Sequence, residues 1–397
     1  MPLDLSALSK QIKQMGQEAA ASAALEKRRL PRALGALRES ARDIKALAAR
    51  VEASRTYWPA ARPLEPLDVR YPAPKALDEY IVIASDGSQI EPDRHGIALC
   101  YLINVGLALL RYGRNPGAML RSVPSLHFGE DELYLTSNNR RILIQGHLLA
   151  VKRSMAETQA LVDLARELGS FRPIICLQDG TLALQTLEGW GIEDQLRDEM
   201  TQQFLRGLDD LRSIGIPLAS YISRPRSTEV GGLLRVWVCP HNVANCSQHC
   251  RELIPGNSHP CAWLDGMLDR LVYRALPLEP GERSALFLAS SRISLDRYLE
   301  NRVHFFFLNT GSEVARVEIP QWVARDSVVL DAVHAVVLDQ CRRGGGYPRA
   351  LSEAHEKAVV SAADRETFWR MIESTLGSTG VSTAPSEKQK SKRLRSI

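Results

Sequence analysis

Residues 80–89 read Tyr80-Ile81-Val82-Ile83-Ala84-Ser85-Asp86-Gly87-Ser88-Gln89, and residues 173–182 read Pro173-Ile174-Ile175-Cys176-Leu177-Gln178-Asp179-Gly180-Thr181-Leu182. Each opens as a short apolar run of β-type residues, too brief for a helix, and runs into Asp-Gly and a hydroxyl residue. The pattern predicts two buried strands, each followed by a tight turn. In such a turn the glycine frees the backbone and Ser88 or Thr181 ties it down. Ligands of α/β sheets bind beyond the carboxyl ends of strands of this kind. Two carboxylates delivered there, Asp86 and Asp179, suit Mg²⁺ or Mn²⁺, which take oxygen ligands. Asp-Gly is also a common turn dipeptide, so turn chemistry alone accounts for either copy taken singly.

Outward from these strands, the chain reads as one α/β protein with appendages. Residues 3 to about 55 carry Leu, Ala and Ile at helical spacing among charged residues, interrupted at Pro31, and predict a helical arm over 1–57. Pro59, Pro63, Pro66, Pro72 and Pro74 mark a linker over 58–78. The main domain is expected over 79–375. Its apolar stretch from Ile97 to Tyr112, broken by Gly106, predicts two meandering antiparallel strands. A helix is expected from Asn138 to Leu168, ending at Gly169, and another from Ile192 to Ser213. A strand over Pro217–Ile222 and a helical stretch from Thr228 come next. Strands recur at Ser284–Ala289, Val303–Leu308 and Val314–Ile319. Helices follow at Ser327–Cys341, Tyr347–Val360 and Arg365–Ser374. Strands alternating with helices predict a mixed sheet flanked by helices. The segment 376–397 is rich in Ser, Thr, Lys and Arg and is expected to be a disordered basic tail.

The bulk numbers bound the function classes. A length of 397 residues permits one large domain or two, and a charged content of 24% is that of an ordinary globular protein. A net charge of +4 permits nucleic-acid binding without requiring it. The longest apolar run, Ile97–Leu110, is too short to span a membrane. Met1-Pro2-Leu3-Asp4 lacks the basic-then-apolar pattern of a secretory signal, so a cytoplasmic protein with no membrane association is expected. Seven cysteines, an odd number, argue against a disulfide framework.

Two further segments offer ligands. Glu157, in Arg153-Ser154-Met155-Ala156-Glu157, has Ala160 and Leu161 at helical neighbour spacing, at the edge of a buried stripe. Such a carboxylate is either a surface charge or aimed into a cleft. His355 sits on the helix after the turn Gly346-Tyr347-Pro348, where a lone histidine is more often a packing or surface residue than a ligand.

In order, the four segments are strand-Asp86-Gly87-Ser88, helical Arg153-x-x-x-Glu157, strand-Asp179-Gly180-Thr181-Leu182, and Gly346-Tyr347-Pro348-x-x-Leu351-x-x-Ala354-His355. Together they resemble the NurA nuclease family, the archaeal and bacterial 5′-to-3′ DNA exonucleases that work with a HerA-type hexameric translocase. The resemblance covers about Glu79 to Phe368. It implies an RNase H-like fold, a homodimer, and a role in processing double-strand break ends for repair, with single-stranded endonuclease activity as a further option. It also implies that Asp86, Glu157, Asp179 and His355 are the Mn²⁺ ligands and catalytic residues, with Mg²⁺ the other candidate. Phosphodiester hydrolysis calls for such a set, because divalent ions activate water and stabilise charge at phosphorus and at the leaving oxygen. Candidate DNA contacts are Arg153, Arg224, Arg226 and Tyr347, since arginine grips phosphate bidentately and aromatic rings stack on bases.

Residues 239–261 form a Cys/His-rich insertion in which Cys239, Cys246, Cys250 and Cys261 follow a C-x6-C-x3-C-x10-C pattern. Thiols at this density point to metal, although the spacing is not that of paired C-x2-C knuckles. Structural Zn²⁺, an iron–sulfur cluster and plain free thiols all remain open. Other enzyme classes are less well served. Leu177 stands where a phosphoaspartate-forming phosphatase needs its nucleophile. No G-x-x-x-x-G-K-[ST] loop is present, so translocation energy must come from a partner. The alternatives to a nuclease are a non-catalytic DNA-end-binding subunit and another RNase H-like phosphodiesterase.

Overall fold

The computed structural model describes residues 4–94, 96–137, 140–169, 173–188, 193–250 and 259–379. The chain divides into two compact units. One comprises Met1–Ala73, Ile222–Ser291 and His304–Val317, the other Pro74–Tyr221, Arg292–Val303 and Glu318–Ile397.

The second unit is built on five strands: β1 (Tyr80–Ile90), β2 (Tyr101–Tyr112), β3 (Gly117–His127), β4 (Ile174–Asp179) and β5 (Leu218–Ile222). Their order is β5-β4-β1-β2-β3. β1, β2 and β3 form an antiparallel meander, whereas β1, β4 and β5 run parallel. The expected mixed sheet flanked by helices is therefore present. The central strands are buried and rich in Ile, Val and Leu, as strands covered on both faces must be. Helix α1 (His147–Glu167) packs on one face with α2 (Asp194–Ser213) against it. Helix α3 (Ser327–Arg343) leads into α4 (Arg349–Ala358), which packs on β1 and β2.

Several expectations are corrected here. The first Asp-Gly pair makes no turn: β1 continues through it to Ile90, with Asp86 opposite Gly106 and Gly87 opposite Val105. Gly106 does not break β2 either, which is one unbroken strand paired along its whole length, and its second antiparallel partner is β3. Both glycines are explained by close approach. A Cβ on Gly106 would strike the backbone of Ala354 and Ala358 in α4, and one on Gly87 would strike the side chains of Glu157 and Arg153 in α1. The start of the expected 138–168 helix is instead a hairpin strand, Arg140–Leu143 paired with Tyr134–Ser137, and α1 begins at His147.

The first unit contains the helical arm, Leu5–Ala41 followed by Ile44–Ala53. Pro31 does not interrupt the first helix; it lies on an exposed face, where water can satisfy the carbonyl that its missing N–H leaves free. Arg32 stacks over Trp263 and Arg29 donates to Asp265 O (3.2 Å), holding this end of the arm to its unit. The core of the unit is aromatic, with Tyr273 stacked on Phe307 (4.8 Å between ring centres) and Phe287 on Phe305 (5.2 Å). Glu229 and Arg316 form a buried ion pair there, and Ser290 donates twice to the same carboxylate. Burial works against the Glu229 charge, but Arg316 and Ser290 outweigh it and hold the carboxyl below its ordinary range.

Near the end of the chain, the helix Ala362–Ser378 extends past the expected start of the tail at 376. The rest of the tail, 380–397, lies outside the described residues. Among the described residues, no helix is long and apolar enough to cross a membrane.

Candidate metal centre

In the second unit, Asp86 and Asp179 stand on neighbouring parallel strands. Ser85 and Gln178 are the last pair of their ladder, so the two aspartates come next along adjacent strands. Asp179 ends β4, and the turn after it is real: Gly180 has φ +83°, and Thr181 Oγ accepts from Ala183 N (3.1 Å). Thr181 also donates to Glu318 Oε2 (2.8 Å), which accepts from Leu182 N as well (2.9 Å). Glu318 is buried and fixes the backbone beyond Asp179; no motif in the sequence marks it.

His355 reaches Asp86 because α4 is pinned at both ends. At its N-terminus, the amide of Ala350 donates to the buried Gln340 side chain (3.0 Å), and Gln340 in turn donates to the Tyr80 hydroxyl of β1 (3.1 Å). At its C-terminus the carbonyls, which no helical N–H can satisfy, accept from the sheet. Asn104 donates to Lys357 O (3.1 Å) and Ala358 O (2.9 Å), and Ser88 donates to Ala358 O. Ser88 thus anchors the helix rather than a turn of its own. Ala350, Leu351, Ala354 and Ala358 form the buried face of α4. Small residues there, with Gly106 beneath, let the helix lie close to β2. The exposed imidazole of His355 then lies with Nδ1 2.7 Å from Asp86 Oδ2.

Glu157 arrives from the other face. Successive side chains of a strand alternate, so Asp86 and Ser88 face α4 while Gly87 faces α1. The missing side chain at Gly87 leaves the space that Glu157 and Arg153 fill. Glu157 is 5% exposed, forms an ion pair with Arg153 Nε (3.1 Å), and accepts from Gln178 Nε2 (3.1 Å). Burial pushes its carboxyl up to about 7, against Arg153 and Gln178, and the charges of Asp86 and Asp179 push the same way. Asp179 is also raised, chiefly by the protein packed behind it and further by Asp86, while the Tyr347 hydroxyl opposes. That hydroxyl donates to Asp179 Oδ1 (3.0 Å), and the ring lies edge-on to Tyr221.

The four expected ligands thus divide into a contact pair, Asp86–His355, a neighbour, Asp179, and Glu157, which feels both aspartates while bound to Arg153. Among the described residues, no three Asp, Glu, His or Cys side chains stand around a single point as a metal-holding group. The donor set nevertheless fits a divalent cation of the Mn²⁺ type. It offers three carboxylates and one imidazole, and a cation would offset the burial, and the lesser repulsion between carboxylates, that raise Glu157 and Asp179.

Of the expected DNA contacts, Arg153 is the partner of Glu157 and also donates to Gln89 Oε1 (3.4 Å), and Tyr347 is engaged with Asp179. Arg224 and Arg226 belong to the first unit. Both are exposed, and Arg224 takes a left-handed φ of +44° with its amide on Glu313 (2.9 Å).

A family profile described as "NurA domain" matches residues 80–360. Among solved structures, a crystal structure of NurA with manganese is similar at 12% identity, covering 78% of this chain and 91% of that one, with a TM-score of 0.37. RNase H1 from the halophilic archaeon Halobacterium salinarum NRC-1 matches at 14% identity over 38% of this chain and 89% of its own, with a TM-score of 0.20. No curated protein matches the chain.

Proposed function

The chain belongs to the NurA family of nucleases, whose domain spans residues 80–360, and from that premise we propose a Mn²⁺-dependent deoxyribonuclease that processes DNA ends. The observation that carries this reading is the contact of His355 with Asp86, beside Asp179, with Glu157 close enough for its carboxyl to feel both aspartates. Support for an RNase H-like fold comes from the strand order, with a three-stranded antiparallel meander followed by two parallel strands.

Asp86, Glu157, Asp179 and His355 would hold the cation, with Mg²⁺ as the alternative ion. Divalent ions bound there would lower the pKa of water and stabilise charge at the phosphorus and the leaving oxygen. The chain's own residues do the positioning. His355 fixes the rotamer of Asp86, and Tyr347 orients Asp179 through its hydroxyl. Arg153, the ion-pair partner of Glu157, would take a phosphate oxygen once that carboxylate turned to a cation. Arg224 and Arg226 would add backbone contacts.

Family membership further supports 5′-to-3′ polarity, a homodimer and a HerA-type hexameric translocase as partner. A second reading, a DNA-end-binding subunit without turnover, draws on the fact that Arg153 and Gln178 already occupy the Glu157 oxygens. One experiment separates the two: wild type, Asp86→Ala and Asp179→Ala are incubated with end-labelled linear DNA and Mn²⁺. Cleavage by the wild type that is lost in both variants supports the nuclease. A gel shift with intact DNA in all three supports the binding subunit.

A further inference from the structure

The first unit brings the cysteines of the insertion into one place by built contacts rather than by chance. The helix Glu229–Trp237 ends just before Cys239, and Arg50 of the arm donates to the carbonyls of Cys239 (2.7 Å) and His241 (3.2 Å). The short helix Cys246–His249 is capped by Asn245, and its first residue is tied to the arm through Cys246 N to Arg55 O (3.1 Å). Cys250 follows Cys246 by one helical turn and so shares its face. Cys261 opens the turn Ala262–Leu264.

All four thiols line one cavity of 190 Å³, and none is in a disulfide. Arg235 lines the same cavity. It is nine-tenths buried, its Nε has no hydrogen-bond partner, and its guanidinium is held by Asp265 (2.6 Å) and stacked over Trp58. A buried cation beside four thiols is the charge complement of a group ligated by thiolates.

The size of the space distinguishes between occupants. Among the described residues, no three of these side chains close around a point as they would on a lone ion. On the measure by which one water needs about 10–15 Å³, the cavity is more than tenfold larger. A polyatomic inorganic group held by four cysteines fits this better than a single Zn²⁺ in tetrahedral contact. We propose that Cys239, Cys246, Cys250 and Cys261 ligate an iron–sulfur cluster beside Arg235. On transfer of a preformed cluster from a thiolate-ligated carrier, each thiol passes its proton to the carrier thiolate that it displaces, so four Fe–S bonds break as four form and no electrons move. The cluster pins the insertion to the arm; its ligands belong to the first unit, and the residues proposed for hydrolysis to the second.

The test is metal analysis of the full chain, expressed with added iron and purified without oxygen, alongside Cys246→Ser, Cys250→Ser and the control Cys100→Ala. The expected result is iron and acid-labile sulfide in equal amounts, with a visible absorption that dithionite bleaches. Both are retained in the control and lost by at least tenfold in the two cysteine variants. If those variants fail to fold, the wild-type metal and sulfide content decides alone. Zinc at one per chain without sulfide, a disulfide, or four freely alkylated thiols in iron-replete protein would each overturn the proposal. Nuclease activity is read separately, so failure here leaves the proposal for the other unit standing.

Discussion

His355 Nδ1 lies 2.7 Å from Asp86 Oδ2, across 269 residues of sequence. The contact joins a helix held by Gln340, Asn104 and Ser88 to the strand that carries the first aspartate. If the imidazole orients Asp86 and completes the donor set, His355→Ala should lower the affinity for Mn²⁺ by about 10–100-fold. Cleavage should recover in part as Mn²⁺ is raised. The check is rate against Mn²⁺ concentration, and superimposable curves for wild type and variant would remove His355 from the site.

Gly106 is expected to be intolerant of even one methyl group, because the backbone of α4 occupies the space. Gly106→Ala should cost at least about 1–3 kcal/mol, measured by denaturant unfolding. What remains folded should cleave poorly, since α4 carries His355. An Ala variant as stable as the wild type would show that α4 does not need this close seat.

In the first unit, the Arg316–Glu229 pair is buried on both sides. Arg316→Met would leave a buried carboxylate without its cation, and the expected loss is about 3–5 kcal/mol. Replacing both partners with apolar residues of matching volume should cost much less. A single variant that unfolds like the wild type would mean that Ser290 alone satisfies Glu229.

Asp269 is fully buried, and its Oδ1 accepts from the amides of Val230 (3.0 Å) and Gly231 (2.9 Å). Burial pushes its carboxyl from 3.8 up to about 6, with the Glu229 charge adding to the effect. The folded state therefore holds this proton more tightly than the unfolded chain. Its contribution is full below about pH 4 and is lost as pH rises to about 6, on the order of 3 kcal/mol at most. Asp269→Asn keeps an acceptor for both amides and removes the titration. The stability of the wild type relative to this variant should fall between pH 4 and 6, whereas parallel profiles would refute the assignment.

The two Asp-Gly strands and the late helix were legible because buried strands and a glycine-proline turn leave local signatures. The first Asp-Gly pair carries the local signature of a turn, yet β1 runs through it, because Gly87 serves Glu157, a residue seventy positions later. Gly106 likewise carries a breaker's local signature while serving a distant neighbour, α4. Strand β3 escaped notice because it is an exposed edge with no apolar alternation and carries Pro124 mid-strand. Asn104, Gln340 and Glu318 were invisible as supporting residues. Each is a lone polar residue in an apolar element, and only the fold shows which helix end or turn it satisfies. Nor can a linear reading see that residues 222–291 pack with the arm in one unit.

The central claim is that Asp86, Glu157 and Asp179 act as one cation site on a nuclease. Its most direct test is Mn²⁺ titration of the purified protein, followed by calorimetry, for wild type, Asp86→Asn, Glu157→Gln and Asp179→Asn, with DNA cleavage measured on the same samples. The expected result is saturable binding by the wild type, weakened on the order of tenfold or more in every variant, with cleavage falling in step. Binding of Mn²⁺ and cutting of DNA that persist undiminished in all three variants would contradict it.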